Sequence, residues 1–508
     1  MKTYTPEIIE QVEQLLNVGI ALSAEKDHNI LLETILREAR RITGADAGTL
    51  YLREGDCLLF KITHNDTMKS YLGGRGEPVN LPPVPLQREN VSAFVALTNK
   101  SVNIADVYSA NSFDFDFSGP KRYDAMTGYR TTSMLVVPLE NHEAQVIGVL
   151  QLINATDDNG QVVAFAPHYE KVVASLASQA AIALTNMNFI AEIENLFNSF
   201  VQVMATAVDA QTPYNANHTR RVALFSGKLA RVINQVEEGF WGEQHFNEDR
   251  TAELVMAAWL HDIGKIATPL AVMNKATRLE ARIELVLQRM DYIRAELRAE
   301  YLERKLGAKN KGDQEAADSW WKAAATRVDE TKSMLIKVDN PSTFVDGEMA
   351  GRLKEVATYT YVTSAGEELP WLTPDELTQL CVTKGTLTDD ERKVMENHVE
   401  YTTRMLDKIP FISKLRNVPF YAGIHHEHLD GKGYPHGLKG EEIPPEGRIL
   451  ALLDIYDALT ADDRPYKKAL PVEEALKIIG FMVKDGKLDA ELFNIFKNSE
   501  IYLSDPES

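Results

Sequence analysis

Residues 425–435 read His-His-Glu-His-Leu-Asp-Gly-Lys-Gly-Tyr-Pro, and this stretch carries the strongest indication of both fold and chemistry in the chain. Two consecutive histidines can reach one metal ion only where a helix ends or is distorted, because successive helical side chains point in different directions. The glycine- and proline-rich run that follows predicts such an end. The alternative is a polar loop with incidental histidines. The stretch therefore predicts metal ligands at the end of a helix.

Two further stretches place an acidic residue where a metal site would use it. Residues 260–265 read Leu-His-Asp-Ile-Gly-Lys at the end of an apolar helix. Here His261 and Asp262 can bind one ion together, and the carboxylate can bridge two ions. Asp454 interrupts the apolar run 449–460, and a buried carboxylate is costly unless it is paired or binds a metal. The alternatives are a surface pair or helix cap for the first stretch, and a cap or ion pair for Asp454.

Histidine is concentrated in the C-terminal part, which holds eight of the twelve histidines of the chain, from residue 218 onward. His218 stands near the start of a predicted helix and His398 lies on another. Each of these alone is more often structural or exposed than a metal ligand. Asp457 follows Asp454 by one helical turn.

Length and composition limit the class of protein. At 508 residues the chain predicts two or three domains. The net charge of −20 disfavours a nucleic acid polymer as partner, because such binding needs a basic face. Cys57 and Cys381 share no spacing motif, so we expect neither a disulfide scaffold nor a cysteine-based zinc site, and a reducing cytoplasm fits. With no run of about 18 apolar residues and no secretory signal, we expect no membrane span.

The N-terminal part predicts an α+β domain. Helical periodicity covers residues 5–43, a long helix begins near Pro167, and residues 109–128 predict a long aromatic loop. Strand-like segments lie between the two helical regions, at 47–52, 57–63, 102–104, 133–139 and 145–153. Because long connecting helices commonly pair between subunits, we expect a parallel homodimer.

From about residue 199 the strand signals nearly vanish, and the C-terminal part predicts an all-α domain. We predict that residues 275–380 are an insertion. Apolar residues from Leu279 to Leu297 follow alternating steps of four and three, which predicts a helix that pairs with a second helix at about 314–337. An ordinary pair of core helices is the alternative, but the motifs that carry chemistry lie on both sides of the segment.

Taken together, these motifs resemble the HD-GYP family, the cyclic-di-GMP phosphodiesterase branch of the HD superfamily. The resemblance covers residues 199–500 apart from the insert. It rests on residues 261–265 and 425–435, and on Asp454 with the Arg-Pro-Tyr-Lys run 464–467. The resemblance implies two metal ions bridged by one carboxylate, the first held by His218, His261, Asp262 and Asp454 and the second by Asp262, His398, His425 and His426.

The same resemblance implies the chemistry. Tyr214 occupies the position at which three-metal members carry a glutamate, so two ions and the linear product pGpG are expected. The catalytic residues are predicted to be Asp262 and Lys265, and the substrate-binding residues are predicted to be Lys265, Tyr434, Arg464 and Lys467. With imidazole and carboxylate ligands and no thiolate, iron or manganese is favoured, and zinc or nickel is compatible.

The N-terminal part resembles a GAF domain, a small-ligand sensor fold, on the strength of residues 128–138 and 147–154. The signature of cyclic-nucleotide-binding GAF domains is kept in part: Asn154, Phe165 and Glu170 match it, whereas Ala155 and Tyr169 depart from it. We expect a small ligand in this domain. A domain used only for dimerisation is the alternative.

The predicted architecture is multidomain. An α+β GAF domain with its connecting helix occupies residues 1–190, and an all-α HD-GYP domain occupies 191–508, with an inserted helical hairpin at about 275–380. We expect a bacterial, cytoplasmic phosphodiesterase that hydrolyses cyclic-di-GMP and is regulated by its GAF domain. Two alternatives stay open: hydrolysis of 3′3′-cGAMP, and a catalytically silent receptor or scaffold for the dinucleotide.

Overall fold

The structure is a computed structural model of the chain, and it describes residues 16, 18–22, 24–25, 27–109, 115–211, 217–461 and 469–503. The chain forms two compact units, Met1–Phe197 and Asn198–Ser508. Three residues singled out by the sequence, Tyr214, Arg464 and Lys467, lie outside the described residues.

The N-terminal unit is built on one antiparallel sheet. Its strands are β1 Ala45–Glu54, β2 Cys57–Asn65, β3 Ser70–Gly73, β4 Val84–Pro85, β5 Val102–Ile104, β6 Met134–Glu140, β7 Val146–Thr156 and β8 Val162–Val163. The strand order is β3-β2-β1-β7-β6-β5, with β4 paired to β2 and β8 to β7. The five predicted strands are confirmed as β1, β2, β5, β6 and β7. The other three are two to four residues long, too short to show an alternation of apolar and polar residues.

Helices cover both faces of this sheet. They are α1 His28–Thr43, α2 Val91–Thr98, α3 Ser118–Thr127 and α4 Pro167–Gln211. The apolar faces of α1 and of the first turns of α4 pack on one face of the sheet in a single core cluster. A second cluster holds α2 against the opposite face. The predicted α+β architecture of the N-terminal domain is confirmed.

The predicted loop at 109–128 is wrong in its second half, where α3 forms. The carboxylate of Asp116 accepts hydrogen bonds from the backbone N–H and the hydroxyl of Ser118 at 2.9 and 2.6 Å, just where the helix begins. Gly128 ends the helix with φ 73°. Asp124 is the one buried residue of α3, so the helix shows no apolar periodicity in the sequence.

The C-terminal unit is largely helical, as predicted. Its helices are α5 His218–Ile233, α6 Gly239–Gly242, α7 Glu248–Leu260, α8 Leu270–Met273, α9 Arg282–Leu306, α10 Lys311–Asp339, α11 Gly347–Val356, α12 Pro374–Leu380, α13 Asp389–Glu396, α14 His398–Leu406, α15 Val418–Ala422, α16 Pro445–Thr460, α17 Val472–Lys484 and α18 Ala490–Ser499. Short 3₁₀ helices lie at Ile263–Ala267, Ser413–Leu415, Gly440–Glu442 and Ile501–Leu503. Within the described part of this unit, the only strands are the antiparallel pair β9 Thr360–Val362 and β10 Glu368–Pro370.

Residues 279–381 have a hydrophobic core of their own. Helices α9 and α10 follow each other after four residues and pack together, and α11, α12 and the β9–β10 pair complete the segment. All members of this core cluster lie between Leu279 and Cys381. A separate core is the arrangement expected of a module inserted into a host domain.

One arginine joins the two ends of this segment. The guanidinium of Arg278 is fully buried and donates to the backbone carbonyls of Asn340 and Thr343, both at 2.8 Å, and to that of Val382 at 3.0 Å. It also donates to the carbonyl of Val338. A buried cation is stable only where its donors are satisfied, and here four carbonyls satisfy them. Arg278 therefore links the beginning of the segment to the end of α10 and to Val382, which directly follows the segment.

Helix α4 is long and apolar enough to cross a membrane by length and composition alone. Its most apolar window is 39% buried, and the first turns of the helix belong to the core of the N-terminal unit. Core helices of soluble proteins meet the same criterion. The expectation that the chain has no membrane span therefore stays a prediction.

Candidate metal centre

Helix ends bring five histidines of the C-terminal unit together. His218 and His398 are the first residues of α5 and α14, His261 directly follows α7, and α15 ends at Ala422, just before His425 and His426. The sequence predicts a helix end at these two histidines, and the helix ends three residues before His425. Asp262 opens a 3₁₀ turn, and Asp454 lies within α16.

One group of ligand atoms lies around His218. Its Nε2 atom is 3.3 Å from Nε2 of His261, 3.6 Å from Oδ2 of Asp262 and 3.2 Å from Oδ1 of Asp454. Nε2 of His261 is 3.4 Å from the same oxygen of Asp262. Atoms this close have the spacing of ligands around a single cation.

A second group consists of His398, His425 and His426, whose ligand atoms all lie within 4.8 Å of one another. The other oxygen of Asp262, Oδ1, is 3.5 Å from Nε2 of His398 and 3.9 Å from Nε2 of His425. Asp262 therefore presents one carboxylate oxygen to each group, as a bridging ligand does.

Three buried polar atoms at this point have no hydrogen-bond partner. They are Oδ1 of Asp262, Nε2 of His398 and Nε2 of His425. An unpaired buried polar atom normally costs about 1–3 kcal/mol, and three that converge on one space indicate a missing ligand. Imidazole and carboxylate donors suit a divalent transition metal, so these residues fit the predicted ions.

Backbone carbonyls orient three of the rings. The Nδ1 atoms of His261, His398 and His425 lie 2.6–2.7 Å from the carbonyl oxygens of Ala258, Met395 and Ala422, each three residues earlier. A carbonyl can only accept, so each Nδ1 carries the proton and donates. The Nε2 lone pairs are then available to bind a cation.

The second group holds neutral imidazoles. Burial lowers the pKa of His425 well below its ordinary value, with His426 and His261 acting in the same direction. Burial likewise lowers the pKa of His398, and it lowers that of His426 to about 3. Neutral imidazole is the form that binds a metal.

Charges converge on the shared carboxylate. Burial opposes ionisation of Asp262, but Lys265 and the surrounding histidines hold its pKa well below the usual range. Burial also opposes the charge on Lys265, yet Asp262 and Asp454 raise the pKa of its amine. At His218 burial is outweighed by Asp454 and Asp457, which raise the pKa to about 10. His218 would therefore have to lose a proton before its Nε2 atom could serve as a ligand.

Two predicted substrate-binding residues border the metal centre. Nζ of Lys265 is 2.5 Å from Oδ2 of Asp262. The ring of Tyr434 lies 4.8 Å from the ring of His426, at an interplanar angle of 34°. The backbone N–H of Tyr434 donates to the backbone carbonyl of His426 at 3.2 Å. These contacts place an amine beside the Asp262 oxygen that faces the first group, and an aromatic ring beside His426 of the second group.

Glu427 holds the loop that carries Tyr434, a role that the sequence does not reveal. Its buried carboxylate accepts the backbone N–H groups of His436 at 2.7 Å, Gly437 at 3.1 Å and Leu438 at 2.9 Å. The three donors are backbone groups, which leave no mark in the sequence. The sequence shows only that an acidic residue stands directly after two predicted metal ligands.

We expect Glu427→Gln to lower the free energy of unfolding of the C-terminal unit by about 1–3 kcal/mol and to raise KM for substrate. The amide turns one acceptor into a donor that faces a backbone N–H. Denaturant unfolding and steady-state kinetics measure the two effects. Glu441→Gln, an exposed position of the same loop, should stay within about 0.5 kcal/mol of the wild type. Equal stability of the two variants would contradict the role given to Glu427.

Thr402 connects two segments that carry predicted ligands, and the sequence does not reveal this role either. Its hydroxyl donates to the carbonyl of His261 at 3.0 Å and accepts from the N–H of Gly264 at 2.9 Å. Thr402 lies on α14, one turn after His398. The side chain thus keeps α14 in register with the 260–265 turn.

In the N-terminal unit, Asn154 serves the fold. Its side-chain oxygen accepts from the N–H groups of Thr132 at 2.7 Å and Ser133 at 3.2 Å. Its amide donates to the hydroxyl of Tyr129 at 3.0 Å and to the carbonyl of Arg130 at 2.7 Å. Phe165 is buried in the core and Glu170 is half-buried. Asn154 therefore fastens residues 129–133 to β7.

Comparison with known proteins defines the class of protein. Residues 27–184 match the GAF domain, and residues 215–325 and 371–492 each match an HD domain. The chain therefore carries a GAF domain followed by an HD region. Residues 326–370, between the two HD matches, fall inside the predicted insert.

The curated relatives of the chain include cyclic dinucleotide phosphodiesterases. The 3′3′-cGAMP-specific phosphodiesterase 3 of Vibrio cholerae is 38% identical over 121 residues, which are 24% of this chain and 25% of that protein. The cyclic di-GMP phosphodiesterase response regulator RpfG of Xanthomonas campestris is 44% identical over 95 residues, 18% of this chain and 24% of that protein. The cyclic di-GMP phosphodiesterase of Thermotoga maritima is 37% identical over 124 residues, 24% of this chain and 32% of that protein.

The matched segments span about a quarter to a third of the length of these relatives. Among solved structures, the GAF domain of an Acinetobacter phosphoenolpyruvate-protein phosphotransferase aligns with 36% of this chain and 96% of its own, at 16% identity and a TM-score of 0.27.

Proposed function

We propose that the C-terminal unit is a metal-dependent phosphodiesterase that hydrolyses cyclic-di-GMP to linear pGpG. The observation that carries the proposal is the carboxylate of Asp262, which faces one histidine group with each oxygen. Its Oδ1 atom is buried and unpartnered together with two imidazole nitrogens. The predicted ligands are His218, His261, Asp262, His398, His425, His426 and Asp454.

Different residues would have different roles in the hydrolysis. When bound, a pair of divalent ions supplies a water of lowered pKa and positive charge toward a phosphate. The seven ligands fix where that charge lies. Lys265 is positioned to neutralise a phosphate oxygen beside Asp262, and we propose that Tyr434 borders the guanine pocket. By the HD-GYP resemblance, Arg464 and Lys467 grip the second phosphate.

We also propose which metals the site binds, and how many. Imidazole and carboxylate ligands without thiolate favour iron or manganese and are compatible with zinc or nickel. Because Tyr214 replaces the glutamate of three-metal members, we propose two ions and pGpG as the product.

The leading alternative is hydrolysis of 3′3′-cGAMP, since the relatives include phosphodiesterases named for either substrate. A catalytically silent receptor is the second alternative. The full set of seven ligands argues against it, because a module that no longer needs metal is free to lose its ligands.

Anaerobic purification, metal analysis and turnover of both dinucleotides test the proposal. We expect the iron- or manganese-loaded protein to cleave cyclic-di-GMP and to release pGpG as its primary product. Metal-stripped protein is the control and should be inactive until it is reloaded. Failure to cleave either dinucleotide would refute the enzyme, and GMP as a fast primary product would refute the two-ion site.

We further propose that the chain forms a parallel homodimer through α4. Exposed positions on this helix follow alternating steps of four and three: Ile182, Asn186, Phe189, Ile193, Leu196, Phe200, Val203 and Ala207. This is the spacing of a coiled-coil seam, and one asparagine within such a seam favours a two-stranded arrangement in fixed register. We propose that a small ligand of the GAF domain regulates the phosphodiesterase through this helix, in the cytoplasm.

We also propose that residues 275–380 are an insertion within the HD-GYP domain, which we place at residues 191–508 after the GAF domain and its connecting helix at 1–190. Two observations support the insertion: the separate core of residues 279–381, and the unmatched residues 326–370 between the two HD matches.

A further inference from the structure

One carboxylate beside the metal centre is not among the predicted ligands. Asp457 is buried, and its Oδ2 atom lies 2.7 Å from Nδ1 of His218. Arg221 holds the same carboxylate with two donors, from Nε to Oδ1 at 2.5 Å and from the terminal nitrogen to Oδ2 at 3.0 Å. Asp457 thus lies between a predicted ligand and a guanidinium.

The group that orients the ring of His218 differs from the groups that orient His261, His398 and His425. Backbone carbonyls of the preceding helical turn hold Nδ1 of His261, His398 and His425. His218 is the first residue of its helix, and there the carboxylate of Asp457 takes the same position. A carboxylate behind an imidazole fixes the ring and makes its other nitrogen a stronger donor than a carbonyl does.

Arg221 keeps this carboxylate in place. It lies one turn after His218 on α5, while Asp457 lies one turn after Asp454 on α16. The two-pronged contact fixes the orientation of the carboxylate and compensates its buried charge. The pair therefore locks the start of α5 against the turn of α16 that carries another predicted ligand.

We propose that Asp457, held by Arg221, is a positioning residue that directs Nε2 of His218 toward the first metal position and thereby sets the affinity of that position. The inference rests on the proposed metal site. Asp457 contacts none of the three histidines of the second group, so its influence should fall on one ion of the two.

Manganese binding to the full-length chain tests this inference. We expect Asp457→Asn to weaken binding of one Mn²⁺ per chain by about 10- to 100-fold, while the second ion keeps nearly its wild-type affinity. Chelator competition measures the affinities, and the metal content after dialysis should fall from two ions per chain toward one. Arg221→Lys, which retains one charge, should give a smaller loss than Arg221→Gln.

Glu446→Gln is the matched control. Glu446 is equally buried and pairs with Arg250 at 2.6 Å in the same unit, and no predicted ligand contacts it. It should lose stability while binding two ions as the wild type does. The same metal loss in Glu446→Gln and Asp457→Asn would overturn the positioning role, because general destabilisation would then explain it.

The outcomes separate this inference from the proposed function. A wild-type chain that binds no Mn²⁺ refutes the metal site itself. A wild type with two ions and an Asp457→Asn variant with two ions of unchanged affinity overturn the role of Asp457 alone. Should Asp457→Asn fail to fold, Arg221→Gln decides, since it leaves the carboxylate in place: selective weakening of one ion supports the inference, and unchanged binding overturns it.

Discussion

Asp262→Asn should weaken both metal positions at once and lower turnover by at least about 1000-fold, the largest effect we expect of any single substitution. Its two oxygens face different histidine groups, at 3.6 Å from Nε2 of His218 and 3.5 Å from Nε2 of His398. An amide offers one neutral oxygen and cannot serve both. The substitution also removes the negative partner of Lys265.

Metal content and turnover measured on the same preparation check this expectation. Asp489→Asn is the control, because Asp489 is a largely buried acid of the same unit, with 10% of its side chain exposed, that pairs with Arg448 at 2.9 Å and contacts none of the predicted ligands. It should keep both ions. An Asp262→Asn variant that retains two tightly bound ions would show that the carboxylate does not bridge.

Gly264→Ala should destabilise the C-terminal unit by about 3 kcal/mol and reduce its metal content. A Cβ at this position would lie 2.0 Å from the carbonyl oxygen of His398 and 2.5 Å from the backbone N of Thr402. Both are backbone atoms and cannot rotate away. Either α14 or the 260–265 turn must move, and each carries a predicted ligand.

Denaturant unfolding followed by tryptophan fluorescence measures this loss for the C-terminal unit alone, since all five tryptophans follow residue 198. Gly227→Ala is the matched control within α5. Its Cβ would meet only a methyl group of Val255 at 3.4 Å, so it should stabilise the helix by about 0.5–1 kcal/mol. If both alanines stabilise the unit, the close approach of α14 to Gly264 is wrong.

The sequence reveals the candidate metal ligands more readily than the residues that position them. His261, Asp262, His425 and His426 stand out because only a few residue types bind metals and because they occur in short motifs. Asp457 was visible one turn after Asp454, but its partner His218 is 239 positions away, and nothing local joins the two.

Positioning by backbone groups is harder still to predict. The donors to Glu427 and the acceptor of Thr402 are main-chain atoms that any sequence would supply. In the fold, long strands and amphipathic helices were predictable, whereas α3 was not, because it buries a single acidic residue and depends on Asp116 and Gly128 at its ends.

The contacts of Arg278 have a topological consequence. Its guanidinium donates to the carbonyl of Val382, 104 positions later, so the two ends of the segment 279–381 lie next to each other. If this segment is an insertion, as we propose, it begins and ends at neighbouring points of the HD region, as a short turn would. We therefore expect that lengthening or shortening the connection between α9 and α10 leaves the separation between His261 and His398 unchanged.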